Sequence, residues 1–161
     1  MSLRLLLLTT LPLLPITVQA GELPKDGTGS FTNEWLMTSS SSVKVGDRTL
    51  GTYELSGIRR NDNGGAMNNM GMRCLGIYDV AGSAPEQEHG ACIYTDNDGD
   101  QIMGTFERKT ADGGIGTYVA GTGKFAGISG TSEWTVLQFP VKADDKLPRG
   151  IVGEKVHWKL Q

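Results

Sequence analysis

The chain lacks helical hydrophobic periodicity, and this limits its possible folds more than any other feature. After residue 20, no window of eleven residues carries apolar side chains at the spacing of an amphipathic helix. Short runs of aliphatic, aromatic and Thr residues alternate instead with turn signals built from Gly, Asp, Asn and Pro. These runs predict eight strands: 30–39, 49–60, 67–80, 90–96, 100–109, 115–120, 128–139 and 150–160.

Glycine content indicates how these strands are arranged. Glycine supplies 23 of the 161 residues, about twice its usual share. Glycine relieves crowding where a coiled sheet bends, and hairpin-like connections favour antiparallel pairing. We therefore predict an all-β protein, a single eight-stranded antiparallel β-barrel over residues 30–161, with a β-sandwich as the alternative. A barrel of this size is filled by side chains or holds one small ligand.

The first twenty residues have the organisation of a secretory signal peptide. Arg4 lies in a short positive region, an apolar run follows from residue 5 to 18, and small residues precede a cleavage site after Ala20. A retained membrane anchor is the alternative, but the run is shorter than a spanning helix needs. We expect residues 1–20 to be removed, residues 21–29 to be flexible, and the product to be secreted or periplasmic, away from the membrane.

Charge and cysteine content narrow the function classes. The chain has 15 basic and 18 acidic residues, so it lacks the basic footprint of a nucleic-acid binder. Cys74 and Cys92 are its only cysteines, and they lie in two runs that a hairpin centred near residue 83 would place opposite each other. Export favours a disulfide between them, with two buried thiols as the alternative. Neither metal-ligand spacing nor a cofactor motif is present, so we expect no metal and no cofactor.

The most distinctive stretch is residues 116–130, Gly-Thr-Tyr-Val-Ala-Gly-Thr-Gly-Lys-Phe-Ala-Gly-Ile-Ser-Gly. A strand runs into a Gly-Thr-Gly turn, an aromatic residue follows, and Gly-x-x-Gly opens the next strand. We interpret the motif as a structural turn in which glycines permit positive φ and close backbone approach while the aromatic ring tucks into the barrel end. Its residues are Gly121, Gly123, Phe125, Gly127 and Gly130.

This motif resembles one in the allene oxide cyclase-like β-barrel superfamily, to which the plant dirigent proteins also belong. The run from Cys92 to Asp100 is similar to a hairpin of small exported bacterial members. The resemblance implies a calycin-like barrel with an apolar cavity. Plant cyclases steer the cyclisation of a fatty-acid epoxide, and dirigent proteins steer phenolic radical coupling or cyclise a quinone methide. None of their catalytic residues is carried over to this chain, so its chemistry stays open.

Glu154 is the candidate catalytic residue. It falls on the apolar face of the last predicted strand, between Val152 and Val156. A carboxylate there would be desolvated and able to act as a general acid or base on an apolar substrate. The alternatives are a structural ion pair with an inward Arg59 or Arg73, or an outward strand end.

Aromatic side chains with polar tips are the candidate ligand-binding residues, since they suit amphipathic molecules. Ordinary core packing is the alternative for most of them. The candidates are Tyr53, Tyr94, Tyr118, Trp134 and Trp158.

Other polar groups have structural interpretations. The run from Asp96 to Asp100 imitates a calcium loop, but Gln101 occupies the place of the required glycine and strands flank it, so we predict an acidic hairpin turn. Arg59 and Arg60 are expected to face solvent at a strand end. His89 and His157 lack the nucleophile spacing of a hydrolase.

Three functions are compatible with a small exported β-barrel. The preferred one is a binding module that holds a small lipophilic, aromatic or phenolic molecule in the barrel. The second is a cofactor-free isomerase or cyclase, and the third is a structural or interaction protein with a filled barrel. Interior volume separates the third from the other two, and a homo-oligomer is compatible with each.

Overall fold

The computed structural model describes residues 23–82, 84–138 and 148–161, which form one closed sheet of eight strands. The predicted signal peptide and its cleavage site lie outside the described residues. The strands are β1 (Asp26–Val45), β2 (Arg48–Asn61), β3 (Met70–Ala81), β4 (Ala84–Thr95), β5 (Gln101–Thr110), β6 (Gly113–Gly121), β7 (Ile128–Gln138) and β8 (Arg149–Leu160).

Antiparallel pairing runs around the whole barrel. β1 pairs with β8 from Asp26↔Lys159 to Leu36↔Arg149 and so closes the sheet. The eight-stranded antiparallel barrel is therefore confirmed and the sandwich excluded. Within the described ranges there is no α-helix, and a single 3-10 turn, Gly123–Phe125, lies between β6 and β7.

One end of the barrel is filled by side chains. In an up-and-down barrel, the starts of odd strands meet the ends of even strands, and the inward positions alternate along each strand. The largest fully buried side chains gather at this closed end: Arg59, Phe31, Phe125, Met70 and Ile102. This end is the solid core of the molecule.

β1 begins earlier than expected, at Asp26, so residues 26–29, which we predicted to precede the barrel, pair with β8. The two glycines of this segment have a packing reason. A Cβ at Gly27 would overlap the ring of Trp158, and a Cβ at Gly29 would lie 2.7 Å from the ring of Phe31. The glycines therefore allow bare backbone to cover the two rings.

The glycine-rich turn between β6 and β7 caps the closed end, and Phe125 is 1% exposed as predicted. Gly123 and Gly127 adopt φ values of +53° and +77°, where side chains are rarely tolerated. The prediction of positive φ is wrong for Gly121 and Gly130. A Cβ at either would overlap a backbone carbonyl oxygen, so these two allow close backbone approach.

The acidic hairpin between β4 and β5 is tied to this turn. Asp96 Oδ1 accepts hydrogen bonds from the backbone N–H groups of Asp98, at 2.9 Å, and Asp100, at 3.0 Å. The Lys124 ammonium lies 2.6 Å from Asp96 Oδ2 and 2.5 Å from Asp98 Oδ2. The acids thus cap a turn, as the structural interpretation predicts, and two of them also pair with a lysine.

The opposite end, which we call the open end, is not filled by any of the described side chains. β1 pairs with β8 only as far as Leu36 and continues beside β2 to Val45. β3 and β4 extend on the same side, to the pair Ala81↔Ala84. One side of the barrel wall is therefore taller at this open end.

Candidate functional site

The open end contains an interior cavity of about 680 Å³. Small-molecule sites in proteins have volumes of this order. The described side chains fill the barrel at one end only. A structural or interaction protein, the third predicted function, would have a barrel filled along its whole length. The apolar lining residues include Trp35, Met37, Leu55, Met72, Phe106, Trp134, Val136 and Val152.

The structure brings four of the five candidate aromatic residues to this cavity: Tyr53, Tyr94, Tyr118 and Trp134. The fifth candidate, Trp158, does not line the cavity. It is buried at the closed end, where its indole N–H donates to the carbonyl oxygen of Pro24 at 3.2 Å. Trp158 therefore belongs to the core, because strand alternation places it inward but at the other end.

A disulfide forms part of the cavity wall. Cys74 and Cys92 lie directly opposite each other on β3 and β4, with their Cα atoms 4.0 Å apart, and they are bonded. Both line the cavity. The predicted disulfide is confirmed, and it joins two adjacent strands in the cavity wall.

Arg59 is completely buried, so the prediction that it faces solvent is wrong. Register explains the error: Arg59 pairs with the inward Asn33, while the next residue, Arg60, lies on the outer face 2.9 Å from Glu34. Three rings surround the guanidinium, whose Cζ lies 3.8, 4.5 and 5.6 Å from their centroids. Cation–π attraction is largest in such a desolvated setting. The rings are those of Phe31, Tyr94 and Tyr118.

Glu154 is the counter-ion of this cation, with Oε2 lying 3.3 Å from Arg59 Nη2. Arg73, the other proposed partner, is exposed and pairs with Glu54 at 2.5 Å. Asn33 Nδ2 donates to Glu154 Oε2 at 3.1 Å. Glu154 lines the cavity, and its second oxygen, Oε1, has no hydrogen-bond partner among the described residues.

Protonation at this level is governed by burial and by the ion pair. Burial alone would lower the pKa of Arg59, but attraction to Glu154 and to the neighbouring tyrosines raises it further than burial lowers it. Burial also raises the pKa of both Tyr94 and Tyr118. The floor cluster, defined as Asn33, Arg59, Tyr94, Tyr118 and Glu154, therefore combines one ion pair with two neutral hydroxyls.

A second charged group, the wall cluster of Tyr53, Glu88 and Arg108, lies nearer the mouth. The Tyr53 hydroxyl donates to Glu88 Oε1, and Arg108 Nε donates to Glu88 Oε2. Arg108 Nη1 donates to the Ala111 carbonyl oxygen at 2.7 Å, and its Cζ lies 5.1 Å from the Trp134 ring centroid. Burial, followed by the nearby Glu88 carboxylate, raises the pKa of Tyr53.

Among the polar residues of the cavity that sequence reasoning missed are Glu88, Arg108 and Asn33. Glu88 lies in a Pro-Glu-Gln-Glu-His run that we read as a loop, whereas β4 already begins at Ala84. Arg108 and Asn33 each lie two residues after an inward aromatic, Phe106 and Phe31. Strict inward–outward alternation along β5 and β1 would have identified Arg108 and Asn33 as inward-facing residues.

The two histidines lie outside the cavity. His89 is exposed, and His157 Nε2 lies 3.0 Å from Asp26 on the outer surface. In the described part of the chain, no three His, Cys, Asp or Glu side chains group to hold a metal ion. No helix among the described residues is long and apolar enough to cross a membrane.

Comparison with solved structures identifies a protein of similar fold. The solved structure of the pterocarpan synthase dirigent protein GePTS1 matches with a TM-score of 0.51 and 10% identity, covering 88% of this chain and 90% of that chain. The chain therefore has the dirigent-like barrel fold, as the sequence resemblance implies. No family model matches the chain, and no curated protein matches it significantly.

Proposed function

We propose that this dirigent-like barrel binds one small, largely apolar or aromatic molecule in its interior. The observation that carries the proposal is the contrast between a solid closed end and an open end with a cavity of about 680 Å³. The cavity combines an apolar lining with a few convergent polar groups, the usual composition of a small-molecule site. Ligand surface moved from water onto this lining gains about 25 cal/mol per Å².

Titration with the neutral probe phenylnaphthylamine, followed by calorimetry, tests this proposal. Leu55 lines the cavity, whereas Leu75 on the adjacent strand is 62% exposed on the outer face. We expect the wild type and Leu75→Trp to bind one probe molecule, and Leu55→Trp to bind it far more weakly because the indole occupies the cavity. Equal affinity in all three folded proteins would place the binding outside the barrel and contradict the proposal.

A cofactor-free isomerase or cyclase is the second candidate. The favouring observation is Glu154, whose Oε1 has no protein partner among the described residues while Oε2 is held by Arg59 and Asn33. An oriented carboxylate in an apolar cavity would accept and return a proton. The pterocarpan synthase shows that a barrel of this fold hosts an enzyme. Glu154→Gln should abolish turnover of a converted substrate while leaving its binding measurable; unchanged turnover would remove Glu154 from the chemistry.

We also propose that the chain is exported and cleaved after Ala20. The Cys74–Cys92 disulfide supports this, because disulfides persist in oxidising compartments. Intact mass and amino-terminal sequencing of the protein from its host should show a chain beginning at Gly21 with both cysteines oxidised. A chain that retains residues 1–20 would contradict cleavage.

A further inference from the structure

The two charged clusters of the cavity lie on one row of cross-strand partners. Glu154 on β8 pairs with Trp134 on β7, Trp134 pairs with Gly114 on β6, and Gly114 pairs with Arg108 on β5. Three interstrand steps of about 4.8 Å separate the ends of this row, roughly 14 Å along the wall. Trp134, which lines the cavity, occupies the position between the two charged ends, and its ring packs against the Gly114 backbone, where a Cβ would lie 2.7 Å from Cζ2.

Each end of the row retains one unused hydrogen-bonding group. At Glu154, both polar contacts fall on Oε2, so Oε1 is an acceptor without a partner among the described residues. At Arg108, Nε donates to Glu88 and Nη1 to Ala111, so Nη2 is a donor without a partner in the described ranges. An unused acceptor and an unused donor therefore belong to residues at opposite ends of this row, with Trp134 between them.

The charges of the row are balanced. Arg59 neutralises Glu154, and Glu88 neutralises Arg108. A ligand that brought its own charge into this cavity would lose hydration without gaining an uncompensated counter-ion. A neutral ligand avoids that loss and still gains hydrogen bonds to two charged groups, which are stronger than bonds between neutral groups.

From this geometry we infer the ligand class: an uncharged, elongated aromatic molecule with a hydrogen-bond donor at one end and an acceptor oxygen at the other. Its O–H or N–H group donates to Glu154 Oε1, its ring faces Trp134, and its acceptor oxygen receives a hydrogen bond from Arg108 Nη2. The inference rests on the proposed function and adds the polarity and orientation of the ligand.

A series of substituted biphenyls tests the inference on the wild-type protein, so folding of variants does not enter. The full probe carries a hydroxyl on one para carbon and an acetyl group on the other, and two analogues lack one group each. We expect each deletion to weaken binding about tenfold, the effect of one hydrogen bond to a charged partner. A third analogue with carboxylate in place of acetyl should bind no more tightly than the acetyl compound.

Two double variants test which polar group of the ligand the Glu88–Arg108 ion pair recognises. Glu88→Gln with Arg108→Gln removes the wall ion pair while keeping the cavity neutral, and should abolish the preference for acetyl while preserving the preference for hydroxyl. The matched control is Glu54→Gln with Arg73→Gln, an ion pair on the outer face of β2 and β3, which should leave both preferences intact.

The outcomes separate the two proposals. If phenylnaphthylamine and every biphenyl fail to bind, the proposed function fails. If phenylnaphthylamine binds but the biphenyls bind with equal affinity, or the carboxylate binds tightest, the inferred ligand class is wrong while the binding function stands.

Discussion

The closed and open ends of the barrel contain the same kind of ion pair in different surroundings. At the closed end, Arg59 is 0% exposed and aromatic rings cover it. At the open end, the Arg108 side chain is 9% exposed and borders a cavity. The difference lies in how many bulky side chains surround the arginine: aromatic rings enclose Arg59, whereas Arg108 borders empty volume.

The largest expected effect comes from breaking the closed-end pair. Arg59→Met leaves the Glu154 carboxylate buried without its cation and should lower the free energy of unfolding by about 3–5 kcal/mol. Adding Glu154→Gln removes the unpaired charge and should restore most of that loss. Urea unfolding of the single and double variants measures both values. A single variant as stable as the wild type would show that Arg59 is not structural.

Matched phenylalanines compare the packing of the two ends. Phe125 is 1% exposed at the closed end, whereas Phe106 borders the cavity. Phe125→Ala should cost about 3–5 kcal/mol because it opens a new void in a packed core. Phe106→Ala should cost less than half of that, since its ring already faces empty volume. Equal losses in urea unfolding would contradict the contrast between the ends.

Removal of the disulfide tests the wall of the open end. Cys74→Ala with Cys92→Ala should lower the free energy of unfolding by about 3 kcal/mol, the value expected for a loop of this length. Wild-type protein reduced with dithiothreitol should unfold at the same urea concentration as this variant. If reduction leaves the wild type unchanged, the bond contributes nothing to stability.

The smallest effect concerns the ion pair between the exposed Lys124 and the partly buried Asp96 at the acidic hairpin. Burial raises the pKa of Asp96, but hydrogen bonds from Lys124 and from the backbone of Asp98 and Asp100 lower it further, to a net decrease. A carboxyl whose pKa is lower in the folded state stabilises above its unfolded pKa, near 4, and loses that contribution as the pH falls through the folded value.

Lys124→Met should therefore cost at most about 1 kcal/mol at neutral pH, as for other exposed pairs. It should also reduce the loss of stability on acidification below pH 4, which urea unfolding at several pH values measures. An acid profile identical to that of the wild type would show that Lys124 does not lower the pKa of Asp96.

On β8, strand alternation predicted which side chains point inward, but not how far along the barrel each one lies. Glu154 and Trp158 share one face of β8, yet Glu154 lines the cavity and Trp158 fills the closed end. The position of a residue along the barrel axis depends on the stagger between neighbouring strands. For β8, that stagger is fixed only by its pairing with β1 and β7.

Polar residues near the ends of the predicted strands, or just outside them, were the hardest to assign. Arg59 lies near the end of β2, next to another arginine, and its inward position follows from its pairing with Asn33 across β1 and β2. Glu88 follows a proline on a strand that begins earlier than its turn-like composition indicates. Register and distant partners decide both cases, and neither is local to the sequence.

Native mass spectrometry of the protein purified from its own host tests the central claim, that the open end binds a small molecule. The wild type is predicted to carry one small-molecule adduct that is released on unfolding, and Leu55→Trp from the same host to be bare, because its indole occupies the cavity. A wild-type protein that is bare and also takes up no phenylnaphthylamine would contradict the claim.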